Sequence, residues 1–387
     1  MYAKPENPGR RGRDHMIHSV EIKGYRGFST FKMLDLGRVN LLVGRNNSGK
    51  TSVLEALYLL TTAGDVSALW ELCSRRGERF VDEPESRLSS GREIDVSHLF
   101  TGHEITPGGE FDVTAKDGMI SKSLIVKVTE PSEQEQQENL LPTLDVTEIA
   151  RPLFALSIES SNPTSSALIA LTRQGGIAVD AVDSSIRRSL RPRRRRYTPP
   201  VRFISPESLD GNQLVAFWDK IQLTPNEQLV LKALKFLDPE IEQLRATAGF
   251  RYYGGKGGFV IKRSGEQMPI PLGSLGDGAW RMFALAIVLT QCAGGILFVD
   301  EIDTGLHYTV MADLWKLIFS AAKEFDVQIF ATTHSFDCVN ALASVCRPDV
   351  ETNSEVTVQR IQSENRMAIP YSESEIKAAA EHQIEVR

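Results

Sequence analysis

The chain has 387 residues, 41% hydrophobic and 24% charged, with a net charge of −6. That length buries a large core and predicts more than one lobe. Its net acidity excludes nucleic-acid binding by overall charge, and no apolar run approaches the roughly 20 residues that cross a bilayer. Cys73, Cys292, Cys338 and Cys346 lack metal-like spacing, which points to a reduced, cytoplasmic protein rather than a disulfide framework.

Residues 1–16 are polar, lack the apolar segment of a secretion signal, and read as a flexible tail. Residues 17–23 and 28–36 read as strands around the turn Gly24-Tyr25-Arg26-Gly27, which carries Arg26 either toward a nucleotide or into water. The apolar run Val39-Asn40-Leu41-Leu42-Val43 then meets Gly44-Arg45-Asn46-Asn47-Ser48-Gly49-Lys50-Thr51, and residues 52–60 repeat apolar positions at helical spacing. Strand, G-x-x-x-x-G-K-[ST] and helix together make a phosphate loop. Gly44 and Gly49 permit a turn tight enough to aim successive N–H groups at one anion, and the helix dipole adds to the same point. Lys50 supplies a full charge for the β- and γ-phosphates, and the Thr51 hydroxyl is placed for Mg²⁺. The expected ATP-binding set is Gly44, Arg45, Asn46, Asn47, Ser48, Gly49, Lys50, Thr51 and Ser52.

The pattern weakens over residues 64–200. A helix is expected at 66–75 and strands at 111–115, 123–128, 153–158, 167–172 and 177–179, with a polar, acidic loop at 130–139. These strands predict an antiparallel sheet beside the nucleotide strand. Between Arg187 and Arg196 seven arginines gather. They read as a solvated loop or as a phosphate-contacting patch for nucleic acid or an acidic partner, and no aromatic residue interleaves them for base stacking. Residues 201–204 form a short strand. Helices follow at 206–222 and 225–237, the second opened by Pro225, and a glycine-rich hairpin lies within 244–262.

From residue 272 strands and helices alternate as in an α/β core: helix 279–292, strand 296–299, helix 307–325, strand 328–331, helix 336–345, strands near 356–360 and 367–369, and helix 373–382. The strand Ile296-Leu297-Phe298-Val299 ends in Asp300-Glu301, the Walker B arrangement. There Asp300 would hold Mg²⁺ and Glu301 would polarise the attacking water. His334 follows the next strand, where a histidine is either structural or within reach of the γ-phosphate. Leu275-Gly276-Asp277-Gly278-Ala279 opens a long apolar helix and offers a second anion-binding helix end. One triphosphate does not need two such ends, but two chains packed head to tail do.

The segments EIKGYRGF, VNLLVGRNNSGKTSVLEAL, PLGSLGDGAWRMFALA, ILFVDEIDTGLH and IFATTHS occur in this order. Through them the chain resembles an ABC-type ATPase head of the RecF/SMC/OLD group, in the broad AAA sense. The resemblance covers the start of the chain and most of its C-terminal third. It implies that Gly276, Asp277 and Gly278 belong to the signature turn that reaches a partner's γ-phosphate. It makes residues 303–307 the D-loop, His334 the switch histidine, and Arg26 the basic residue near the phosphates. Gly276 stands where many signatures have serine, so backbone N–H groups would replace a hydroxyl. His307 replaces the aspartate of transporter D-loops, as is usual in OLD-like heads. No glutamine lobe loop is assigned.

The expected fold is therefore α/β: a P-loop NTPase of ABC type with a mixed central sheet, a flanking antiparallel β subdomain and a helical lobe. The expected parts are an ATPase lobe at 17–200, a helical lobe at 201–246 and a C-terminal ATPase lobe at 247–387. No SMC-length coiled coil or transporter layout is present, and the stretch after His334 is too short for a Toprim domain. A nuclease or toxin effector is thus expected on a separate polypeptide, as in the PARIS and Septu types of anti-phage system that such heads resemble. The expected activity is ATP hydrolysis with Mg²⁺, in a homodimer or higher oligomer that switches an effector. A RecF-like DNA-binding repair ATPase and a low-turnover scaffold holding a toxin or nuclease are the alternatives.

Overall fold

The structure is a computed structural model that describes residues 16–80, 93–118, 120–131, 154–161, 164–181, 199–206, 211–247, 258–346, 355–362 and 364–382. Its strands are β1 (Ser19–Tyr25), β2 (Phe28–Met33), β3 (Val39–Val43), β4 (Glu93–Asp95), β5 (Glu110–Asp117), β6 (Ile120–Thr129), β7 (Ala155–Ser161), β8 (Thr164–Ala170) and β9 (Gly176–Ala178). They continue with β10 (Val201–Ile204), β11 (Ile241–Ala246), β12 (Phe259–Arg263), β13 (Ile270–Pro271), β14 (Ile296–Val299), β15 (Gln328–Thr332), β16 (Val356–Arg360) and β17 (Ile369–Ser372). The helices are α1 (Lys50–Thr61), α2 (Val66–Arg75), α3 (Gly211–Ile221), α4 (Pro225–Lys235), α5 (Asp277–Thr290), α6 (Met311–Glu324), α7 (Phe336–Val345) and α8 (Glu373–Glu381).

Every residue of β3, β14 and β15 is buried, as strands covered on both faces must be. They lie in a six-stranded sheet of order β10-β14-β15-β3-β16-β17, parallel except for β17. Alternate residues serve opposite cores. Leu41, Val43, Leu297, Val299, Ile329 and Ala331 face one cluster, with α5 and residues of α3, α4, α6 and α7. Leu42, Phe298 and Phe330 face the other, with α1 and α2. That second core is closed by a six-stranded antiparallel sheet, β2-β1-β5-β6-β7-β8. Its inner face supplies Val20, Ile22, Phe31, Phe111, Val113, Leu124 and Val126. The mixed sheet and the antiparallel subdomain are those expected.

Several details differ. β10 lies in the central sheet, and β11 pairs with β12 in a three-stranded sheet with β13, so among the described residues of 201–246 only α3 and α4 are α-helical. A 3-10 turn at Tyr308–Val310 precedes α6. β4 pairs with β9 over three residues and β13 has two, lengths at which alternation gives no signal. The tail, the acidic stretch from residue 132 and the arginine run lie outside the described residues. Among the described residues no helix is long and apolar enough to cross a membrane.

Asn40 is the one polar side chain in β3, fully buried. Its amide donates to the Gly37 and Ile329 carbonyls, and its oxygen accepts from Gly37 N–H and Thr357 Oγ1 at 2.8 and 2.9 Å. It thus pins the entry to β3 and its two neighbouring strands together. Asn40→Leu leaves these groups unpartnered and should cost about 2–4 kcal/mol, read as a lower denaturation midpoint. An unchanged midpoint would show that the amide is not needed there.

Candidate functional site

Parallel pairing brings three strand ends to one edge. Val299 pairs with Ala331, and Ala331 with Leu41, so the chain leaving β14, β15 and β3 emerges side by side. Those exits are Asp300-Glu301, Thr333-His334 and the loop from Gly44. A crevice outside the carboxyl ends of a parallel sheet is where such folds place ligands.

The loop itself depends on its glycines. Gly44 has φ +149 and a Cβ there would lie 2.3 Å from the Ile361 carbonyl; Gly49 has φ +94 and a Cβ would lie 2.3 Å from Phe28 Cζ. Asn47 also takes a left-handed turn, at φ +61, which asparagine tolerates. Arg45, Asn46 and Asn47 are exposed, while Ser48 and Lys50 are buried. α1 begins at Lys50 with no side-chain cap and no acid in its first turn, so its positive end is not neutralised by its own sequence. Lys50 Nζ folds back to donate to the Gly44 and Arg45 carbonyls, 2.8 Å each. Burial lowers its pKa from 10.5 to about 8, against the opposing pull of Asp300 and Glu301.

The acids meet the loop directly. Thr51 Oγ1 stands 3.0 Å from both Asp300 carboxylate oxygens and donates to them. Thr332 Oγ1 donates to Asp300 Oδ1 at 2.6 Å and accepts the Glu301 N–H at 2.8 Å. Thr304 Oγ1 donates to Glu301 Oε2 at 3.0 Å. Burial and the Lys50 charge lower the His334 pKa, opposed by Glu301, Asp303 and Asp300. A depressed pKa favours the neutral imidazole, which can both donate and accept.

Gly276, at φ +91 with open space around it, precedes α5. Gly276 and Asp277 are exposed. A Cβ on Gly278 would come within 3.0 Å of the Gly305 carbonyl, so the turn lies against the 303–307 loop of its own chain. Arg281, on the first turns of α5, donates to the Asp300 and Glu301 carbonyls at 2.9 and 2.7 Å. Thr332 and Arg281 were not anticipated. Both lie in segments that carry the resemblance, but a threonine ending a strand and an arginine in an apolar helix declare no role by type, although a charge buried in α5 was a visible oddity.

Arg26 does neither thing expected of it. It is buried at φ +49, with Nε 2.8 Å from Glu55 and Nη1 2.6 Å from Glu78. Two carboxylates within reach hold the guanidinium inside the protein rather than in water. Glu55 is one turn along α1 from Thr51, and Arg76 bridges it to Ser52 through contacts of 2.7 and 3.3 Å. Arg26 thus braces the helix behind the loop.

These residues suit a nucleoside triphosphate with magnesium. Ser48 Oγ is buried with no hydrogen-bond partner among the described residues, inside a loop that leaves no room for a side chain at Gly44 or Gly49. Lys50 donates only to carbonyls that phosphate oxygens can replace. Thr51 and Asp300 offer the oxygen-only donors that magnesium prefers. With the folded Lys50 pKa below its ordinary value, the charged form costs stability near neutral pH, and that cost fades as pH rises through about 8. A bound polyanion favours the ammonium. Binding of a non-hydrolysable ATP analogue should therefore take up more protons at about pH 9 than at about pH 7, measured by calorimetry in buffers of different ionisation enthalpy. The difference should vanish in Lys50→Arg; equal uptake in both proteins would contradict it.

Residues 39–337 match the family described as "AAA domain, putative AbiEii toxin, Type IV TA system". A Helicobacter pylori protein named ATP/GTP phosphatase is 22% identical over 342 residues, 86% of this chain and 89% of that protein. The DNA replication and repair protein RecF of Limosilactobacillus fermentum is 29% identical over 112 residues, 25% of this chain and 30% of RecF. Among solved structures, an Smc head domain with an extended coiled coil, bound to the C-terminal domain of ScpA from Pyrococcus furiosus, is 12% identical with a TM-score of 0.45, covering 95% of this chain and 99% of that one. With both halves of a phosphate-loop site present and residues 39–337 matched, the chain belongs to this AAA-domain family.

Proposed function

We propose that the protein is an ATP-hydrolysing switch in which two copies close around two ATP molecules. The observation that carries this reading is the pair of glycine-bearing helix starts in one chain. One, at α1, is backed by Lys50, Thr51 and Asp300. The other, at α5, is exposed at Gly276 and Asp277 and carries Asp277 in its first turn. Packed head to tail, each chain offers the α5 start to the nucleotide on its partner's α1, in a symmetric, isologous dimer.

In that arrangement the N–H groups of residues 44–51 cradle the phosphates, Lys50 swings from the Gly44 and Arg45 carbonyls to the β- and γ-oxygens, and Thr51 and Asp300 hold magnesium. The ion would neutralise charge on the phosphate oxygens. Glu301 polarises the attacking water and His334 contacts the γ-phosphate. Loss of that phosphate removes the group that both chains grip, so the dimer loosens and a bound protein can respond. The family description names a putative toxin of a toxin–antitoxin system, which supports a toxin–antitoxin setting; the switch we propose there acts on a separate toxin or nuclease effector, in defence against phage.

A second reading has one observation behind it, the likeness to RecF. In it ATP gates binding to DNA, with residues 187–196 contacting phosphates. DNA would then stimulate hydrolysis with steep salt dependence; stimulation only by a protein partner would exclude it.

Glu301→Gln should bind ATP, hydrolyse it at least about a hundredfold more slowly than the unaltered chain, and sediment as a dimer with ATP and magnesium but not with ADP. An ATP-loaded variant that sediments as it does with ADP would end the sandwich proposal.

A further inference from the structure

Two buried side chains to which no role has been given so far, Thr332 and Arg281, surround the Asp300–Glu301 pair. Glu301 has φ +48, in the left-handed region where a long side chain is strained unless its neighbours over-determine it. Here they do. The Glu301 N–H donates to Thr332 Oγ1 at 2.8 Å, and the hydroxyl proton of Thr332 goes to Asp300 Oδ1 at 2.6 Å. On the carbonyl side Arg281 Nη2 reaches Asp300 O at 2.9 Å and Glu301 O at 2.7 Å. Ile302 N donates to the Thr332 carbonyl at 3.0 Å and closes the turn. Thr332 is 1% and Arg281 4% exposed.

A hydroxyl carries one proton and two lone pairs. Spending the proton on Asp300 leaves a lone pair for Glu301, so the two bonds do not compete. The sheet makes this meeting unavoidable. β15 lies between β14 and β3, and the Val299–Ala331 pairing puts Asp300 and Thr332 next in register. Arg281 approaches from α5, the helix that begins at Asp277, so the exposed turn and the two acids ride on one bonded unit. The Glu301 carboxylate accepts from Thr304 Oγ1 at 3.0 Å.

We propose that Thr332 is a positioning residue: its hydroxyl, opposed by the Arg281 guanidinium, holds Glu301 in its left-handed backbone conformation and ties that conformation to the Asp300 carboxylate. The consequence for hydrolysis rests on the reading of Glu301 as the residue that polarises water; the clamp itself does not. A threonine that merely fills space between strands would be replaced by valine, its isostere, without consequence.

The test compares Thr332→Val, which removes the hydroxyl, with Thr332→Ser, which keeps it. In nucleotide-free protein, backbone amide exchange at Glu301 should rise about ten- to a hundredfold in the valine variant and stay near the original in the serine variant. The kcat for ATP should fall by a similar factor in Thr332→Val while KM changes by less than about threefold, and serine should restore kcat. Arg281→Lys, which cannot bridge both carbonyls, should shift both readouts in the same direction and serves if the valine variant melts early. Glu301 exchange equal in all variants would overturn the proposal. If exchange rises as stated but even the unaltered chain hydrolyses no ATP, the clamp stands and the ATPase reading falls.

Discussion

The hydrogen bond from Thr51 to Asp300 joins two halves of a site that lie 249 residues apart in sequence. It exists because β3 and β14 run parallel on either side of β15, so that both chain exits open on the same edge. A helix start that attracts anions and a strand end that carries a carboxylate are common features separately. Brought within hydrogen-bond distance, they place an oxygen donor set beside an ammonium in a loop too narrow for side chains. The remaining elements act on this contact. Helices α3 to α7 cover one face of the sheet, and the antiparallel sheet presses α1 onto the other.

That second sheet also takes part in shaping the loop. Phe28, at the start of β2, fills the space that a side chain at position 49 would need. Arg26, two residues earlier, reaches Glu55 on the next turn of α1. The turn between β1 and β2 therefore holds the loop from below by one apolar and one ionic contact. A buried ion pair of this kind is weak evidence for stability, since desolvation offsets much of its attraction. Its geometric effect is clearer, because three elements meet at a single carboxylate.

Most of this was legible in the sequence where a residue type has one physical use. A lysine after a glycine turn, at the head of an apolar helix, declares its purpose, and so does an apolar strand that ends in two acids. The bounds of β14, α2 and α7 followed directly from periodicity and breakers. What could not be read were contacts set by sheet order. Nothing near Thr332 says that its strand lies between those that lead to Lys50 and Asp300, so its hydroxyl looked ordinary. The partners of Arg26 were hidden for the same reason. Two glycines beside it indicated a tight turn, but its carboxylate partners, Glu55 and Glu78, are supplied by a helix and a loop far along the chain. Elements of two or three residues, such as β13 and β4, form because a longer neighbour is already in place.

Magnesium-dependent nucleotide affinity tests the joined site most directly. If Thr51 and Asp300 hold one ion together, a non-hydrolysable ATP analogue binds at least about tenfold more tightly with magnesium than with a chelator. Asp300→Asn and Thr51→Ala should each remove most of that gain, and the double variant should lose little more than either alone. A magnesium gain that survives in Asp300→Asn, or losses that add in full, would mean that the two halves do not act on a common ion.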